Sequence, residues 1–219
     1  MPEQDKVSLV ERTSVFVRQV LQDAEAGHDW THIERVYRNA LRILREEVEA
    51  DAEIVQLAAL LHDIADAKFH NGDEEKGPAI AREFLLKEGF DEARTQHVCN
   101  IIRHMSFGGG NESLLWTSLE MEIVQDADRL DAIGAIGIAR AFHYGGFRNR
   151  PLFDPQIPPR LDMKKDEYRN SVSPTLNHFY EKLLLLKDRM NTAAGRKIAV
   201  GRHRLMEEFL AEFLSEWEG

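Results

Sequence analysis

Apolar residues recur along this chain at intervals of three and four and never in sustained alternation, so the pattern predicts helices throughout and no sheet. Residues 8 to 24 carry Leu9, Val10, Val15, Phe16, Val20 and Leu21 as one helix ending before Gly27. Asp29 or Thr31 can cap the next, whose apolar face holds Ile33, Val36, Tyr37, Ala40, Leu41, Leu44 and Val48. From about 52 to 65 the apolar residues come too densely for a one-sided stripe, which predicts a helix enclosed by protein on most of its circumference. A polar loop, 66 to 73, follows it. Residues 74 to 88 form a helix with Ile80, Phe84 and Leu85 inward, and Asp91 caps another with Val98, Ile101 and Ile102 inside. One long helix is expected from Leu119 to Tyr144, then a loop from 145 to 172 rich in Pro and Arg. Ser173-Pro174 starts a helix to about 190, and Asn191 to Trp217 supplies the last, with Leu205, Phe209, Leu210, Phe213 and Leu214 as its core stripe. The fold class is all-α. No linker divides the 219 residues, so a single domain is expected.

Composition narrows the function classes. Hydrophobic content of 43% with 30% charged residues is globular, and no 18-residue apolar run is present to span a bilayer. The first six residues lack a basic and an apolar export region, so a cytoplasmic address is expected, with no membrane partner. The single cysteine, Cys99, permits no intrachain disulfide and no thiolate metal site, leaving His and carboxylates as the available ligands. A formal charge of -10 opposes binding of long nucleic acid, while a local basic patch can still hold a small phosphate compound. The oligomeric state is left open, a homodimer included.

Chemistry-bearing residues fall at a few places. His62 and Asp63 stand at the end of the apolar run and must be hydrogen-bonded, paired or bound to metal, because an isolated buried charge costs several kcal/mol. Asp66 lies three residues beyond Asp63, on the same side of a helix. His32 is expected in the first turn of its helix, with Arg35 one turn later on the same face. His104 ends the helix that Asp91 starts. Asp126, Asp128 and Asp131 crowd six residues of a small, apolar helix and repel one another unless a cation sits among them. Ala127, Ala132, Gly134, Ala135 and Gly137 allow a neighbouring helix close, and the expected neighbour is the His62-Asp63 helix. The plain alternative is a buried ion-pair network. Gly108-Gly109-Gly110-Asn111 is a turn and not a phosphate loop, since no Lys-Ser/Thr follows and no strand precedes.

In order, the strings are His28-Asp29-Trp30-Thr31-His32-Ile33-Glu34-Arg35-Val36, then Leu60-Leu61-His62-Asp63-Ile64-Ala65-Asp66, then Gln125-Asp126-Ala127-Asp128-Arg129-Leu130-Asp131. This resembles the HD-domain metal-dependent phosphohydrolase superfamily and, within it, the YpgQ/YedJ-type branch. The resemblance implies an HD-domain helical bundle with a metal-site core over about 28 to 144 and an additional helical extension over about 173 to 217. It implies His32, His62, Asp63 and Asp128 as metal ligands, with Asp66 and Lys68 as catalytic residues. Arg35, Lys68, His104 and Asp131 are then the substrate contacts. In related alarmone hydrolases a Glu-Asp pair stands where this chain has Ala65-Asp66, and a His where it has Asp131. The implied cofactor is one divalent transition metal, Mn²⁺ foremost, with Fe²⁺, Co²⁺, Zn²⁺ or Ni²⁺ as alternatives and Mg²⁺ fitting less well. The implied activity is hydrolysis of a nucleotide, foremost a nucleoside triphosphate to monophosphate and pyrophosphate. Alternatives are a phosphomonoesterase or phosphodiesterase acting on a monophosphate, a cyclic nucleotide or an alarmone, and a non-catalytic nucleotide sensor.

Overall fold

The computed structural model describes residues 7–22, 29–65, 73–105, 116–161 and 173–219. Every regular element among them is helical. The α-helices are α1 (Leu9–Val20), α2 (Trp30–Leu44), α3 (Ala52–Leu61), α4 (Lys76–Lys87), α5 (Glu92–Met105), α6 (Leu119–Asp131), α7 (Gly134–Phe147), α8 (Asn177–Glu181) and α9 (Ala193–Glu218). A 3₁₀ segment, Leu183–Arg189, lies between the last two. The chain forms two compact units, the first reaching to Val124 within α6 and the second running from Gln125 onward.

In the first unit α3 is the central helix, packed by α1, α2 and α5, while α4 lies on α5. Ile54, Val55 and Leu57 to Leu61 are all buried, so the dense apolar run is enclosed as its composition demands. Asp51 caps α3 by accepting from the backbone N–H of Glu53 and Ile54, and Arg94 of α5 closes on Asp51 and Glu53 at 2.8 Å. The Asp51 carboxyl is pushed up by burial, but the N–H donors and the Arg94 guanidinium outweigh that and hold it below its ordinary range. Register on α1 differs from the expected stripe. Thr13 and Val17 are buried and Phe16 stacks on Phe84 at 4.1 Å, whereas Val15 and Val20 face outward. Thr13 can be inside because its hydroxyl donates to the carbonyl of Leu9. Val48 is 83% exposed, since α2 ends at Leu44 and the apolar stripe has no helix to carry it further.

In the second unit α7 and the 3₁₀ segment pack on α9. Phe142, Phe179, Phe209 and Phe213 form its aromatic core, with neighbouring ring centroids about 6 Å apart. Leu205 is exposed and Met206 takes the buried place, a shift of one position in the stripe. The continuous helix expected from Leu119 to Tyr144 is broken after Asp131. Ile133 is extended, and Gly134 has φ +75, a left-handed conformation that glycine adopts without a Cβ penalty. Arg202 occupies the space a Cβ on Gly134 would need and donates to the carbonyl of Leu130, one of the groups the end of α6 leaves open. The helix expected from Ser173-Pro174 begins later, at Asn177. The N–H groups of Thr175 and Leu176 are taken by the carbonyls of Pro151 and Leu152, which holds the stretch before α8 in a non-helical course.

Candidate metal centre

His32 reaches its position through the cap of α2. Asp29 is the N-cap and its Oδ1 accepts from the backbone N–H of His32 at 3.0 Å and from the Thr31 hydroxyl at 2.8 Å. Burial alone would raise the Asp29 carboxyl, but those bonds and the nearby Arg35 and His32 hold it low. His32 is thereby fixed in the first turn as expected, and is only 3% exposed. Arg35, one turn on, donates from Nη1 to Thr31 Oγ1 at 3.2 Å, so its guanidinium leans back toward the turn bearing His32.

His62 and Asp63 are not inside α3, as the predicted span of 52 to 65 would have them, but in the tight turn that closes it. His62 is the C-cap and the N–H of Ile64 bonds the carbonyl of Leu61 in an i+3 turn. Both side chains are consequently half-buried at the rim rather than sealed in the core. The ring of His62 is oriented by its own helix: Nδ1 lies 2.9 Å from the carbonyl oxygen of Ala59. A carbonyl can only accept, so Nδ1 carries the proton and Nε2 is left with its lone pair free for a cation.

These two elements bring His32, His62 and Asp63 together. One ligand atom from each lies within 4.8 Å of the others, and the two imidazole rings are 5.5 Å apart at 68°. Ligand atoms about 2.0–2.2 Å from one ion are at most about 4.4 Å apart, so the cluster needs only small side-chain rotations to close on a metal. Two neutral imidazoles and a carboxylate suit a borderline divalent cation. The three side chains can hold a metal.

The remaining expected residues distribute as follows. Asp66 and Lys68 lie outside the described residues. His104, at the end of α5, stacks on Trp116 with centroids 5.8 Å apart. Asp128 is half-buried on α6, in the second unit. The expectation that Asp126, Asp128 and Asp131 need a shared cation is corrected for two of the three. Asp126 is completely buried and accepts from the backbone N–H of Asn191 and Thr192 and from the Thr192 hydroxyl, each at 2.8 Å. Asp131, 2% exposed, is ion-paired with Arg140 and offers a substrate little surface. Protein donors thus neutralise both. Two features at this end of the chain were not legible beforehand: the Asp126 anchor for the start of α9, and Trp116 between His97 and His104. The Asp-Ala-Asp string points to metal, and Trp116, following Leu114 and Leu115 before the first turn of α6, lies in no periodic stripe.

Comparison with known proteins gives the chain a family. The HD domain profile matches residues 29–133. YpgQ of Bacillus subtilis, an uncharacterized protein, is 36% identical over 210 residues, 95% of this chain and 94% of that one. The crystal structure of an HD-superfamily hydrolase from Bacillus thuringiensis is 43% identical, covers 96% of this chain and 97% of that one, and superposes with a TM-score of 0.77. The structure of Bacillus subtilis YpgQ in complex with ADP is 33% identical, with 94% of each chain covered and a TM-score of 0.74.

Proposed function

Since the chain belongs to the HD-domain superfamily of metal-dependent phosphohydrolases, we propose that it hydrolyses a nucleotide, foremost a nucleoside triphosphate to the monophosphate and pyrophosphate. The observation that carries this reading is the convergence of His32, His62 and Asp63, with His62 Nδ1 committed to Ala59 and Nε2 free. Nucleotide as substrate class rests on the ADP complex of the similar YpgQ.

In this proposal His32, His62 and Asp63 hold one divalent transition metal, Mn²⁺ foremost, and the order of the motifs assigns Asp128 as the fourth ligand. A divalent cation there supplies Lewis acidity, acidifying water and neutralising charge on a phosphoryl group. Asp66, three residues after Asp63 in the sequence, steers the attacking water and takes its proton. The chain carries a net charge of -10, so a polyphosphate also needs local cations. In this reading Arg35, whose guanidinium bonds Thr31 beside His32, takes that duty, and Lys68 is assigned the same duty from the motif. The test is a panel of nucleotides incubated with the Mn²⁺-loaded protein, with pyrophosphate and inorganic phosphate resolved chromatographically. Release of pyrophosphate from a triphosphate is expected. Phosphate alone, or turnover of monophosphates only, would move the cleaved bond and overturn the reading.

A further inference from the structure

We propose that Trp116, framed by His97 and His104, is the wall on which the base of the nucleotide stacks, a deduction that rests on the nucleotide reading above. The group lies wholly in the first unit. The His104 ring stacks on the indole at 5.8 Å and 29°, and the His97 ring meets it edge-on at 5.3 Å and 87°. His97 is itself fixed, with Nε2 3.0 Å from Ser118 Oγ and 3.2 Å from Glu120 Oε2. The indole plane is therefore set before any ligand arrives.

Three observations point to a planar heterocyclic ligand. Trp116 is only half-buried although it is among the largest apolar side chains of the unit, so aromatic surface remains open. Its indole N–H and the His104 imidazole have no hydrogen-bond partner among the described residues, which leaves ring donors beside that surface for the acceptors on a base edge. The group also runs along α3: its His97 side is tied through Glu120 to the backbone N–H of Asp51 at the start of α3, and its His104 side lies further along. Arg94 of α5 binds Asp51 and Glu53 at the start of α3, and a Cβ added to Gly77 would lie 3.5 Å from both the Ala65 carbonyl and Ile102. The two helices therefore run parallel. Ten residues of α5 from Arg94 rise about 15 Å, as does α3 from its cap to His62, which brings His104 level with the His62-Asp63 turn. The His104 edge of the wall is thus on the level of the metal ligands and its His97 edge runs back along α3, an extent that suits a ligand with a phosphate chain and a base. Base stacking on aromatic side chains is sequence-tolerant, so the wall favours nucleotides over bare polyphosphate without choosing strongly among bases.

The experiment measures binding of ADP and of inorganic pyrophosphate to the Mn²⁺-loaded protein by titration calorimetry, in wild type, Trp116→Leu and Trp116→Phe. Trp116→Leu should weaken ADP about tenfold while leaving pyrophosphate within about twofold, and Trp116→Phe should retain most of the ADP affinity. Equal weakening of both ligands, or unchanged ADP affinity, overturns the proposal. Where Trp116→Leu fails to fold, His104→Ala carries the same comparison: an ADP-selective loss of about threefold or more supports the wall, and parallel or absent loss overturns it. Turnover of ATP by wild type is recorded separately. A protein that binds ADP through Trp116 but releases no pyrophosphate refutes the proposed reaction and keeps the wall. One that releases pyrophosphate while Trp116→Leu binds ADP normally does the reverse.

Discussion

Asp126→Asn separates an aspartate that builds the fold from one that binds metal. Asp126 Oδ2 accepts from the Thr192 N–H and hydroxyl, both at 2.8 Å, while Oδ1 accepts from the Asn191 N–H at 2.8 Å and faces Arg129 at 3.4 Å. In the variant the amide oxygen can serve only one side. Placed toward Thr192, it leaves an NH₂ group confronting the Asn191 N–H and the Arg129 guanidinium, donor against donor in a site without exposure. One unsatisfied buried N–H and the lost charge partner of Arg129 together cost about 3 kcal/mol. For a chain of this length that lowers Tm by roughly 6 to 12 °C. Far-UV circular dichroism melts read the stability, and elemental analysis of the same sample reads bound Mn²⁺, which should stay at the wild-type level. A variant as stable as wild type but stripped of metal would refute the assignment of Asp126 to the anchor and restore it as a ligand.

Other outcomes follow from the same structure. Gly195→Ala should also destabilise the second unit, because the new Cβ would lie 2.4 Å from Asp126 Oδ2; a Tm equal to wild type contradicts this. Gly134→Ala forces an alanine to φ +75 and into the Arg202 stem, for a loss of about 1 to 2 kcal/mol in urea unfolding. Asp51 titrates lower folded than unfolded, so its contribution is present above the unfolded value and lost as pH falls through the folded one. Arg94→Ala should therefore raise the pH at which the first unit acid-unfolds, and an unchanged acid midpoint would show that the pair contributes nothing. Asp66→Asn should keep metal and Tm while turnover falls about 10²- to 10⁴-fold, the scale for a lost general base. Unchanged turnover would show that Asp66 takes no part in the reaction.

Much of the fold and part of the site are legible in the residues. The density of apolar positions over 54–61 alone requires an enclosed helix, and Asp29 or Thr31 before the α2 stripe is enough to place its first turn, hence His32, with Asp29 the cap in the structure. What the sequence conceals has physical causes. Gly134 in a run of small residues looks like helix packing until Arg202, far along the chain, is found in the space beside it. Asp126 and Asp131 look like part of a cation site because their partners, Asn191 and Thr192 for the first and Arg140 for the second, are donors that no local spacing reveals. The stripes on α1 and α9 slip by a position because Thr13 satisfies its hydroxyl within the helix and Met206 fits where Leu205 was expected.

The central claim is that His32, His62 and Asp63 are joint ligands of one catalytic metal, and metal stoichiometry tests it most directly. After reconstitution with Mn²⁺ and removal of free ion, wild type should retain roughly one ion per chain, and His62→Ala and Asp63→Ala each well under a tenth of that, with circular dichroism showing both variants folded. Pyrophosphate release should disappear in step with the metal. Full occupancy in either folded variant would contradict the account.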